Sequence, residues 1–90
     1  MPSYLVETYL SRGRAIERNA CEQRARSAAT ELTREGTSVR FDRLMHVPED
    51  ELCFVVFDAP SVLDAERAAE RAGFSPLRVV EAISSREEKP

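Results

Sequence analysis

Apolar residues along this chain change their spacing from element to element, and each change marks a border. Ser3 to Leu10 (SYLVETYL) is rich in β-branched and aromatic residues and predicts a first strand. Tyr4, Val6, Thr8 and Leu10 fall on one side of it, and Leu5, Glu7 and Tyr9 on the other. Neither side is plainly polar, so both faces are expected to be at least partly covered. Gly13 breaks the pattern. From about Arg14 to Arg34 the residues Ile16, Ala20, Cys21, Ala25, Ala28, Ala29 and Leu32 recur at helical spacing. Gly36 is well placed as the left-handed residue that ends this helix.

Ser38 to Val47 predicts a second strand and Glu51 to Asp58 a third, with Pro48-Glu49-Asp50 as the turn between them. Leu52 to Phe57 is apolar on both sides, the mark of a central strand. Asp58-Ala59-Pro60 stops it. Ser61 followed by Asp64 is close to a capping box and opens a second helix. Its narrow stripe of Ala65, Ala68, Ala69 and Ala72 allows close approach to a sheet, and Gly73 closes it. Leu77 to Ile83 predicts a fourth strand. Ser84 to Pro90 (SSREEKP) has no apolar anchor and reads as a frayed tail.

The order strand, helix, strand, strand, helix, strand is the split βαβ, or ferredoxin-like, unit. The expected fold class is therefore α+β: a four-stranded antiparallel sheet, strands one and three central, with two helices on one face. Residues 1–84 would form the single domain and 85–90 a flexible C-terminal tail. Two helices cover only one face of such a sheet, and the other must meet water, a ligand or a second subunit. A homodimer of the dimeric α/β-barrel type is the expectation, and burying roughly 800 Å² per partner is the usual scale of a stable one.

Ninety residues make one domain, and 42% hydrophobic content is enough for its core. The formal net charge of −3 offers no electrostatic footprint for nucleic acid. Arginines 12, 14, 18, 24, 26 and 34 alternate with glutamates 17, 22, 31 and 35, as on a solvated helix face. The longest apolar stretch, Leu52 to Phe57, is far too short to cross a bilayer, so no membrane partner is expected. The start Met1-Pro2-Ser3 runs straight into a strand without a signal-peptide pattern, which points to the cytoplasm. Cys21 and Cys53 have no CxxC spacing and are expected as buried reduced thiols.

Candidate chemistry is sparse. His46, the only histidine, sits at the end of strand two beside the Pro48 turn. It is either a half-exposed strand-end residue without a role or a metal ligand, joined by donors converging from Glu7, Asp42, Cys53 or Glu81. Glu7 and Glu81 are carboxylates in mid-strand among apolar neighbours, where an unpaired charge is costly. Each either serves a site, pairs with an arginine such as Arg43 or Arg78, or faces solvent. If the helices cover the Tyr4/Val6 side, strand parity sends Glu7, Tyr9 and Glu81 to the open face. It also gives Asp42, Leu44 and His46 a common face of strand two. A dimer would enclose an acid, a phenol and a histidine able to bind a metal or a small molecule. Glu7 and His46 are then the candidate metal ligands, and Tyr9 and Glu81 the candidate contacts to a bound molecule. No glycine-rich elbow precedes a serine and there is no phosphate loop, so a nucleophile-base-acid triad is not supported. The sparse polar residues favour a binding protein, or an interaction module without chemistry, over an enzyme. The alternative is a dimeric α+β barrel enzyme using a carboxylate and His46 for acid-base chemistry on a small hydrophobic compound.

The opening MPSYLVETYL, the later run CFVVFDAPS and the AERAAERAGF helix together resemble a family of small bacterial proteins, a domain of unknown function that includes a nickel-binding member. The resemblance covers nearly the whole chain. It implies a homodimer of ferredoxin-like subunits with nickel or another divalent metal as ligand, and by motif match Glu7 carries over. The family's strand-two histidine lies in a His-Ser-Tyr-Val-type run. Here the corresponding stretch is Phe41 to Val47, with the histidine displaced to His46 and Arg43 nearby.

Overall fold

The computed structural model describes residues 1–85 and contains a four-stranded antiparallel sheet with two helices. The strands are β1 (Ser3–Tyr9), β2 (Arg40–Val47), β3 (Leu52–Asp58) and β4 (Arg78–Ala82), and the helices α1 (Arg18–Arg34) and α2 (Val62–Arg71). Across the sheet the order is β2-β3-β1-β4, so the first and third strands are central as their two-sided apolar character requires. The fold is α+β, of the ferredoxin-like type. The tail expected over 85–90 lies, apart from Ser85, outside the described residues.

Strand parity decides which face is core. Along β1, Tyr4, Val6 and Thr8 are buried while Leu5 and Glu7 are half-buried and Tyr9 is exposed. The buried side continues across the sheet through Val55 and Phe57 of β3, and both helices pack on it. Cys21, Ala25, Ala28, Ala29 and Leu32 supply the buried face of α1, and Ala65, Ala68 and Ala69 that of α2. Side chains this small bring the α2 backbone close to the strands, so a large residue in the stripe would overpack the layer. Phe41 meets the fully buried Phe57 edge-on, with ring centroids 6.2 Å apart.

Both helices end in the same device. Gly36 and Gly73 adopt φ of 104° and 87°, the left-handed region open to glycine. After α1, the amides of Gly36 and Thr37 donate to the carbonyls of Thr33 and Leu32. After α2, those of Gly73 and Phe74 donate to Glu70 and Ala69. These are Schellman pairs that satisfy the terminal carbonyls. At the other end of α2 the Ser61 hydroxyl accepts from the Asp64 amide, as the sequence signal implied.

Two stretches depart from the pattern expected of the sequence. Arg12–Glu17 is a 3-10 segment kinked at Arg14 (φ −108°, ψ 20°), and α1 starts only at Arg18. Ile16 is consequently 91% exposed rather than part of the helical stripe, and Ala20 is exposed too. In β2 the pairing shifts between Phe41 and Arg43. This bulge removes Asp42 from the register that Leu44 and His46 follow, so the three do not share a face as alternation alone implied.

Candidate functional site

The face of the sheet away from the helices carries the densest set of residues singled out by sequence. Glu7 lies opposite Phe54 on β3 and opposite Arg78 on β4, and Phe54 in turn lies opposite Met45. Leu5, Val56 and Val80 form the neighbouring cross-strand row. Directly paired residues project to one side of a sheet, so these rows make one surface. Both helices lie against the opposite side. Met45 is 44% exposed and Tyr9 57%, while Leu5, Phe54 and Val80 are half-buried.

Glu7 is not a lone charge on this surface. The Nε of Arg78 donates to Glu7 Oε1 at 2.8 Å, with the Glu7 side chain only 19% exposed and that of Arg78 63%. The arginine is positioned by strand register and by the Leu77 amide, which donates to the Glu7 carbonyl at 2.7 Å. Beyond Leu5 the surface dips into a depression of about 420 Å³ bordered by Asp42, Arg43, Met45, Val56 and Ile83. Asp42 and Arg43 stand 3.4 Å apart there. At the same end, Asp58 accepts from the Ser3 hydroxyl at 2.6 Å and from Arg40 Nε at 2.9 Å. Burial pushes the Asp58 carboxyl up, but the Ser3 hydroxyl and the Arg40 guanidinium outweigh it and hold the group below its usual range.

The four expected site residues do not converge. Glu7 and Tyr9 share the open face. Glu81 stands opposite the buried Tyr4, hence on the helix side, where it is exposed at the edge strand. Register reverses its expected direction: Arg78, Val80 and Ala82 point to the open face instead. His46 is opposite Cys53, which is opposite Thr8, so the histidine also lies on the helix side. Its Nε2 is 3.1 Å from the Leu10 carbonyl oxygen, which makes Nε2 the protonated nitrogen, and its buried Nδ1 has no partner among the described residues. Glu7 and His46 are therefore on opposite faces of one sheet. Among the described residues, no group of three or more His, Cys, Asp or Glu side chains is placed to hold a metal ion. Within the described residues of one chain, Glu7 and His46 do not meet at a common point, and the Arg78 guanidinium beside Glu7 opposes a cation there.

The helix side holds a cavity of about 280 Å³ that the sequence did not signal. Thr8, Leu10, Cys21 and Cys53, all buried, line it together with Arg14, Arg24 and Phe74. Burial pushes the Cys53 thiol up to about 11, which keeps it neutral and unreactive at ordinary pH. Cys21 and Cys53 are buried free thiols. The one hint in sequence was Thr8, a polar residue on the buried side of β1 near its end.

No family model matches the chain, and no curated protein matches it. Among solved structures it is similar to SCO4226 from Streptomyces coelicolor A3(2), at 15% identity and a TM-score of 0.76, over 92% of this chain and 98% of that one. That likeness is one of fold. No helix among the described residues is long and apolar enough to cross a membrane.

Proposed function

We propose that this chain is a small cytoplasmic homodimeric binding protein whose two open sheet faces pack on each other and enclose a small ligand. The observation that carries the reading is the row of Leu5, Val56 and Val80 beside Phe54 and Met45, on a face that neither helix covers. A second copy is the fitting occupant, because the surface is broad, apolar at its centre and bordered by charges of both signs: Arg40, Asp42, Arg43 and Arg78. A domain of this size buries a low fraction of its surface and gains from the roughly 800 Å² a stable partner removes.

Between two such faces, the depression beside Leu5 would close over. Its polar groups are Asp42 and Arg43, with Glu7, Arg78 and Tyr9 further along the face. This supports a polar organic molecule with donor and acceptor groups rather than a bare divalent cation such as nickel. The enzyme alternative asks a carboxylate and His46 to work on one substrate. The sheet standing between Glu7 and His46 speaks against it.

Small-angle X-ray scattering at micromolar concentration tests the assembly. The account expects a radius of gyration clearly above the 12.8 Å of a single chain. A value matching the single chain would end it.

A further inference from the structure

Independently of the open face, the helix-side cavity has a floor and a mouth of different chemistry. The floor is Thr8, Leu10, Cys21 and Cys53, all buried and none of them a carboxylate or a basic residue. The mouth carries Arg14 and Arg24. Arg14 is committed: its Nε and Nη2 donate to the two carboxylate oxygens of Glu17 at 2.8 and 2.6 Å. Arg24 directs its hydrogen bonds to neutral groups, although its charge also reaches the Glu17 carboxylate that Arg14 holds. Its Nε donates to the Ala72 carbonyl at 2.9 Å, its Nη2 lies 3.5 Å from Cys21 Sγ, and its guanidinium carbon is 5.6 Å from the centre of the Phe74 ring.

These contacts fix the plane of the guanidinium beside the cavity. Among the described residues, no carboxylate of the chain forms an ion pair with it. At the end of α2 the Ala72 carbonyl accepts from Arg24, so the guanidinium offsets part of the negative end of that helix. The mouth thus holds a net positive charge with donors still available, over a buried floor that is mostly apolar apart from the Thr8 hydroxyl.

We propose that this cavity binds a small apolar acid, a ring or short chain bearing one carboxylate, with the carboxylate on Arg24 and the apolar body against Cys21, Cys53 and Leu10. The volume of about 280 Å³ falls just below the usual range for ligand pockets, roughly 300–1,000 Å³, which restricts the body to a single ring or its equivalent. The site is complete within one chain and does not depend on the dimer.

Benzoate is a suitable probe, and benzamide its neutral counterpart of the same shape. Titrated into the full chain and followed by backbone amide NMR, benzoate is expected to shift Thr8, Cys21, Phe74 and Ser75. Benzamide is expected to bind on the order of tenfold more weakly, the scale of losing a charge-assisted contact. Arg24→Gln should weaken benzoate by about the same factor and leave benzamide unchanged, and Arg24→Lys should fall between. If Arg24→Gln fails to fold, the comparison of the two probes on the parent protein decides alone. No saturable shift with benzoate, equal binding of benzamide, or shifts confined to the surroundings of Arg43 and Arg78 on the open face would each overturn the proposal.

Discussion

Glu7 and Arg78 stand directly opposite each other on β1 and β4 and join through a 2.8 Å hydrogen bond between Oε1 and Nε. The pair is lopsided, the carboxylate mostly buried and the guanidinium mostly exposed. Losing the arginine strands a partly buried charge, whereas Glu7→Gln keeps the shape and an acceptor oxygen. Arg78→Leu is therefore expected to destabilise the chain by about 1–2 kcal/mol, and Glu7→Gln by no more than about 0.5 kcal/mol. Urea unfolding of both variants checks this. A larger loss for Glu7→Gln than for Arg78→Leu would contradict it.

Asp58 sets an acid limit to stability. Its folded pKa lies below the ordinary carboxylate value because the Ser3 hydroxyl and Arg40 outweigh the effect of burial. A depressed acid contributes stability above its unfolded pKa of about 3.9 and loses it as pH falls through the folded value. Asp58→Asn should be about 1–2 kcal/mol less stable than the parent at pH 7. That gap should shrink below about pH 4, where the parent carboxyl takes up its proton. A gap independent of pH from 7 to 2 would show that the charge of Asp58 is not what Ser3 and Arg40 hold.

The late start of α1 separates two apolar residues that look alike in sequence. Leu32 is fully buried between the helix layer and the sheet, and Ile16 projects from the 3-10 segment into solvent. Leu32→Ala is expected to cost about 2–5 kcal/mol. Ile16→Ala should stay within about 0.5 kcal/mol of the parent in the same denaturation series.

Element order, the central placement of β1 and β3, the Ser61 cap and the two closing glycines were all legible, because each rests on a local rule. The alternation of β1 also told correctly that Glu7 and Tyr9 leave the helix side. Legibility stopped where a residue's direction depends on another strand. Leu77 to Ile83 is apolar on both sides, so its pattern does not reveal that Arg78 rather than Glu81 stands beside Glu7; only the register with β1 does. The bulge at Phe41/Arg43 has no signature in the surrounding residues, yet it moves Asp42 off the face of Leu44 and His46. The helix-side cavity assembles Thr8, Cys21 and Cys53 from three separate elements and Phe74 from the loop after α2, and no spacing along the chain announces such a meeting.

Packing of one open face on another is the central claim, and sedimentation velocity on matched variants tests it most directly. Leu5→Lys places a charge in the middle of the open face, while Leu63→Lys places one on α2, where the leucine is already 67% exposed. At micromolar concentration the parent and Leu63→Lys should sediment as dimers, and Leu5→Lys as a folded monomer, since an unpaired charge at the centre of an interface is costly. A parent that sediments as a monomer, or a Leu5→Lys protein that remains dimeric, would contradict the account.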